Sequence, residues 1–249
     1  DGITNTMASA IAQAMTSTGG DIINSGDIVA TATGGTILSD GTDYAHAYGI
    51  VSLGGANVDN SGDIIVTATN QDLTVSEAYG IYMGGGNLTN TGTIRAFGDT
   101  AFELYVASGT TTIVDTYNVT LDGNPSTPSI LVGNGATLSL NDAALTVTEV
   151  MGSDPQATQW DTEYRLFGVE GEGTVSGNFG TVSAVNPDVT ANYYTLGTQN
   201  AADDRVSLSY EPQASESAAS ATVERRAVAL APYAMNQHMT SELMTDMLE

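Results

Sequence analysis

The 249-residue chain sets 29 acidic residues against 5 arginines and no lysine, a formal net charge of -24, while 41% of its residues are hydrophobic. That charge excludes nucleic acid and anionic membrane surfaces as partners, since both repel it, and suits a soluble surface in a salty or cation-rich medium. The absence of cysteine excludes a disulfide framework and a thiolate metal site, and no run reaches the roughly 18 apolar residues of a membrane-spanning helix.

The chain begins at Asp1, with no basic segment leading into an apolar core, so no signal peptide is read, and the start suggests processing or a cut from something larger. Met7, Ile11 and Met15 recur at four-residue spacing in ITNTMASAIAQAM, which predicts a short capping helix and sets residues 1–18 apart as an N-terminal cap. Residues 19–150 carry an internal repeat. NSGDI stands at 24–28 and at 60–64, and a relaxed copy, NTGTI, at 90–94, so the intervals are 60 − 24 = 36 and 90 − 60 = 30. A second word, AYGI, occupies 47–50 and 78–81, each copy followed by a glycine cluster at Gly54-Gly55 or Gly84-Gly85-Gly86. Self-similarity at such a period marks a stacked architecture.

Within one unit, Tyr48 to Leu53, Ala56 to Asn60 and Asp63 to Ala68 read as strands parted by turns at Gly54-Gly55 and Ser61-Gly62. Alternation directs Ile50, Leu53, Val58, Ile64 and Val66 inward, and the stretches 38–47 and 69–78 are expected as corner loops. Three strands per coil leave no room for a helix, so the repeat predicts an all-β, right-handed parallel β-helix. Equivalent residues should then form ladders: Asn24, Asn60 and Asn90; Ile28, Ile64 and Ile94; Tyr48 and Tyr79. Less regular strands continue through AFELYV (101–106), YNVTL (117–121) and ALTVTEV (144–150), giving an expected six to eight coils. Residues 151–212 form a further β region, and 213–249 read as a helical tail or linker. In it Ala218 to Ala231 is expected helical, Pro232 interrupts, and Met235, Met239, Leu243 and Met247 make one apolar contact face.

No motif in the chain carries catalysis. His46 and His238 lie in unlike segments, and no nucleophile elbow accompanies the serines near Asp43 and His46. A lyase acting on acidic sugars needs cationic groups, and the β region offers Arg95, Arg165 and Arg205 alone. Asp27 and Asp63 would stack as a carboxylate pair, but Thr93 takes that place in the next copy, so the pair reads as a solvated turn face. GEGTVSG at 171–177 lacks the lysine of a phosphate loop. The acidic segment from Asn200 to Asp204 offers weak surface Ca²⁺ binding only, and no cofactor is expected. Sequons at Asn87 and Asn118 are common by chance in a threonine-rich chain.

The AYGI and N-x-G-x-I repeats resemble the secreted passenger of a Gram-negative autotransporter of the pertactin-like type. Residues Tyr164-Arg-Leu166, Gly177-Asn-Phe179, Tyr193-Tyr194-Thr-Leu196 and Val206-Ser-Leu208 are similar to the closing coils that cap such passengers and help them fold. The resemblance implies that Tyr164, Leu166, Phe179, Tyr194 and Leu196 form this closing-coil motif, making 151–212 autochaperone-like. It also implies that residues 216–249 occupy the place of the helix threading an outer-membrane barrel, although no barrel lies within residues 1–249. The expected function is an extracellular or cell-surface stalk or adhesin, non-catalytic and exported through the outer membrane. Expected partners are a host or neighbouring-cell surface or carbohydrate, and the barrel reached through the tail. Two alternatives stand beside it: a self-assembling extracellular fibre joined head to tail, and a carbohydrate-active β-helix enzyme.

Overall fold

The structure, a computed structural model, describes residues 10–34, 44–70, 75–121, 124–150, 162–185, 189–194 and 204–210. All of these belong to one compact unit, Asp1–Tyr210; the second unit, Glu211–Glu249, holds none of them. The expected tail helix, its contact face Met235, Met239, Leu243 and Met247, and His238 therefore lie outside the described residues.

Three strands complete each of the first three coils. They are β1 (Ala10–Ser17), β2 (Ile22–Asn24) and β3 (Ile28–Gly34); β4 (Tyr44–Ser52), β5 (Val58–Asn60) and β6 (Ile64–Asn70); then β7 (Val75–Met83), β8 (Gly86–Asn90) and β9 (Ile94–Phe97). In the fourth coil β10 (Thr100–Val106) leads into the long β11 (Thr110–Leu121), and β12 (Ile130–Val132), β13 (Thr137–Ser139) and β14 (Ala144–Val150) make the fifth. After β15 (Thr162–Arg165) come β16 (Phe167–Val169), β17 (Thr174–Ser176) and β18 (Thr181–Ala184), the sixth coil, and finally β19 (Val189–Tyr194) and β20 (Arg205–Tyr210). Strands of equal rank stack in parallel: β1-β4-β7-β10-β12-β16 form the first face, β2-β5-β8-β11-β13-β17 the second, and β3-β6-β9 the third. On the far side β11 pairs through its C-terminal half with β14, and β14 with β18, also in parallel. This is an all-β parallel solenoid.

The interior follows from period-two alternation on three faces at once. Ile50, Val58, Ile64, Ile81, Leu88 and Ile94 are buried, and small residues, Ala45, Ala47 and Ala78, fill the interior where the first face approaches its neighbours. Turns are set by glycine where the backbone needs it: Gly54 and Gly55 have φ of 70° and 81°, Gly85 and Gly86 of 102° and 96°.

Several sequence expectations are corrected. Ala10–Ser17 is a strand, not a helix: it pairs residue for residue with β4, and this ladder satisfies its backbone better than an isolated helical turn would. Met15 packs against the core while Ile11 is 63% exposed, so their four-residue spacing marks no common face. Leu53, expected inside, is 38% exposed because it lies one residue beyond the end of β4, where the chain enters the Gly54-Gly55 turn. The expected loops 38–47 and 69–78 are shorter than their spacing implied, since β4 starts at Tyr44, β6 runs to Asn70 and β7 starts at Val75. Among the described residues, β15, β20 and β19 stand apart from the parallel stack and form an antiparallel sheet. Tyr164, Val206 and Leu208 of this sheet are buried, as are Leu166, Phe167 and Phe179.

Candidate functional site

The repeated words hold the register. Asn24, Asn60 and Asn90 are partners across β2, β5 and β8, as Ile28, Ile64 and Ile94 are across β3, β6 and β9. Asn24 Nδ2 donates to Asn60 Oδ1 at 2.7 Å, and Asn60 Nδ2 donates to Asn90 Oδ1, also at 2.7 Å. The remaining amide hydrogens go to the corner: Asn60 Nδ2 to the Gly62 carbonyl at 2.9 Å, Asn90 Nδ2 to that of Gly92 at 3.2 Å. Buried amides joined in this way replace the hydrogen bonds that water would supply. The glycines of these corners have ordinary φ and are required for another reason. A Cβ on Gly62 would stand 2.0 Å from the Gly26 carbonyl oxygen, and one on Gly92 2.0 Å from that of Gly62, whereas a Cβ on Gly26 would meet nothing within 4 Å.

The outward side of the first face carries the densest chemistry. On β4 and β7 the residues alternate, with Ala45, Ala47 and Ala78 inward and Tyr44, His46, Tyr48 and Glu77 half-buried on the outer side, while Tyr79 on that side is 7% exposed among its aromatic neighbours. Gly49 and Gly80 then change the phase, so Ile50 and Ile81 face in and Tyr82 faces out. Side chains cannot stand at these two places: a Cβ at Gly80 would lie 2.2 Å from Ile94 Cγ2 and one at Gly49 2.5 Å from Ile64 Cγ2. Register carries the pattern to β10, where Phe102 lies beside Tyr79, and Tyr105 beside Tyr82. Glu103 stands where the earlier coils have glycine; buried, it accepts the Thr120 N–H at 2.6 Å through Oε1.

The result is an aromatic row across three coils. Tyr48 stacks on Tyr79 at 5.4 Å between centroids, and Tyr79 stacks in turn on Tyr105 at 5.2 Å and Phe102 at 6.2 Å. Tyr82 stands nearly perpendicular to Tyr48, Tyr79 and Tyr105, at 75°, 89° and 79°. Polar groups thread the row: the Tyr79 hydroxyl donates to Glu77 Oε2 at 3.0 Å, the same oxygen lies 3.4 Å from His46 Nε2, and the Tyr48 hydroxyl is 3.5 Å from His46 Nδ1. Burial, and then the Glu77 carboxylate, raise the Tyr48 and Tyr79 phenols above their usual range. Burial first and Glu170 second do the same for Tyr105. The face is therefore aromatic and electronegative. Its sequence signal was the word AFELYV at 101–106, a third copy of AYGIYM in which Phe replaces Tyr and Glu replaces Gly; read only as a strand, it hid Phe102 and Tyr105.

Other singled-out residues fall elsewhere. Asp27 and Asp63 are exposed, and Asp63 Oδ1 accepts the Thr93 N–H at 3.1 Å, a turn contact. A depression of about 320 Å³ on the second face is lined by Asp21, Asn57, Asp59, Asn87, Thr89 and Val114, among others. In the closing region Tyr164, Leu166 and Phe179 are buried, and Phe179 packs edge to face with Tyr193 at 5.3 Å. Tyr194 pairs through its backbone with Arg205. Leu196 lies outside the described residues, and of the Asn200 to Asp204 segment only Asp204 is described, buried and accepting the Tyr193 hydroxyl.

Fold and surface together define a repeat protein of the parallel β-solenoid class. No protein-family model, curated protein or solved structure matches the chain.

Proposed function

We propose that this protein is a right-handed β-helical passenger displayed at the cell surface or outside the cell, where it serves as a non-catalytic stalk or adhesin. The observation that supports this reading most is the display of the aromatic row on a sheet whose coils are locked by the buried Asn24–Asn60–Asn90 ladder. A stacked sheet holds such a row fixed while the chain's strong negative charge keeps it soluble. In this reading the β15–β20–β19 sheet is the autochaperone-like closing region, and the tail from residue 213 leads to an outer-membrane barrel. The test is to fuse the chain ahead of an outer-membrane barrel in a Gram-negative host. Surface accessibility to added protease and gain of adhesion to cells or immobilised glycans are expected; intracellular retention, or turnover in a screen of polysaccharides, overturns the reading.

A second reading, a self-assembling fibre subunit, is favoured by the first coil. Among the described residues no strand pairs with the outer edges of β1, β2 and β3, and Ile11, Ile23 and Val29 of that coil are 63%, 76% and 68% exposed. Filaments in electron micrographs of the purified chain would favour it over the stalk.

A further inference from the structure

We propose that the outward aromatic face of β4, β7 and β10 is a docking surface for a basic polypeptide segment, which sets Arg or Lys side chains against Tyr82 and the Glu77 carboxylate. The proposal deepens the adhesin reading above and rests on it for the setting in which such a partner is met.

Charge complementarity selects the occupant. The chain contains no lysine, and its arginines within the described residues stand on β9, β15 and β20, none of them on these three strands. The row itself carries a carboxylate at Glu77, whose Oε2 accepts the Tyr79 hydroxyl at 3.0 Å. Ring geometry narrows the choice further. A neutral sugar packs on an open ring face, yet Tyr79 is covered on one side by Tyr48 and on the other by Tyr105 and Phe102. What the row offers is the phenolic oxygens of the half-buried Tyr48 and Tyr105 and the Glu77 carboxylate, all acceptors for N–H donors, with Tyr82 set across the line outside the stack. A guanidinium suits this arrangement, since it donates through a planar fork and also packs on aromatic rings. The row spans three parallel strands, from Tyr48 on β4 through Tyr79 to Tyr105 on β10, and so suits an extended chain with more than one cationic side chain rather than a single small cation.

The experiment titrates the full chain by calorimetry at near-physiological salt with four probes. These are a short peptide carrying two arginines, the same peptide with glutamine in their place, choline, and a neutral oligosaccharide. The arginine peptide is expected to bind and the glutamine peptide not. Tyr82→Ala and Glu77→Gln should each weaken binding about fivefold or more, while Asp59→Asn on the second face should leave it within about twofold. Urea midpoints of the variants establish that they are folded. No binding of the arginine peptide overturns the proposal, as does equal weakening by Asp59→Asn and Glu77→Gln, which would mean diffuse attraction to an acidic surface. Binding of choline or the oligosaccharide that is lost in Tyr82→Ala, with the peptide unaffected, would replace the occupant. Failure here leaves surface display and adhesion intact, whereas failure of the display assay leaves the titration unchanged, so the two readings fail separately.

Discussion

At the second face's corner the first three coils bury Asn24, Asn60 and Asn90, one above another, whereas in the fourth coil Tyr117 takes the place beside Asn90. From there the interior fills with large, unrepeated side chains, ending in Phe167 stacked on Phe179 at 6.5 Å with Tyr193 against both. The early coils cohere because identical small groups meet at close range, and such contacts exist only if each copy keeps the same residue in the same place. The later coils cohere by filling volume, which many residues can do. Repetition in the sequence therefore persists where backbones nearly touch and fades where bulk does the packing.

The largest expected effect tests the bulky half. Phe167→Ala removes a fully buried ring and should lower unfolding stability by about 3–5 kcal/mol, measured by urea denaturation. Next comes the close-contact half: Gly62→Ala drives a methyl group into the Gly26 carbonyl and should cost about 3 kcal/mol, while the same change at Gly26, with nothing nearby, should stay within about 0.5 kcal/mol. Equal effects at the two glycines would show that the motif's glycine serves the turn and not the stack. Asn60→Ala interrupts the ladder at its middle rung, leaving the Asn24 donor and the Asn90 acceptor without each other's link, and should cost about 2 kcal/mol.

The smallest effect is invisible at neutral pH. Burial raises the phenols of Tyr48, Tyr79 and Tyr105 in the early and middle coils and of Tyr117, Tyr164 and Tyr193 in the later part. An unfolded phenol ionises near pH 10, so above that pH the folded chain holds more protons than the unfolded one. Stability should be complete below about pH 10 and fall as pH rises beyond it. Urea midpoints between about pH 8 and 11.5, followed alongside phenolate absorbance, check this; phenolate appearing in two separate steps would show that the two halves loosen independently.

Much of the early solenoid was legible because period and alternation are properties of the chain itself: the registers of Asn60 and Ile64 with their counterparts follow from spacing alone. What the spacing could not reveal was why Gly62 is glycine, since its φ is ordinary and the obstacle is a carbonyl supplied by another coil. Nor could it reveal β1, whose local apolar spacing resembles a helix and whose strand state depends on β4. The aromatic row was half visible through Tyr48 and Tyr79. Phe102 and Tyr105 escaped because Glu103 replaces the glycine by which the word was recognised, a substitution tolerated where the side chain has the Thr120 N–H to bind.

The asparagine ladder also has a direction. Each rung donates toward the next coil along the chain, and the last, Asn90, donates to the backbone carbonyl of Asn118 at 2.8 Å. At the other end Asn24 Oδ1 is the terminal acceptor, with the Gly26 N–H 3.3 Å away. The ladder thus gives the stack two unlike ends, an acceptor oxygen toward the first coil and a donor amide toward the later ones.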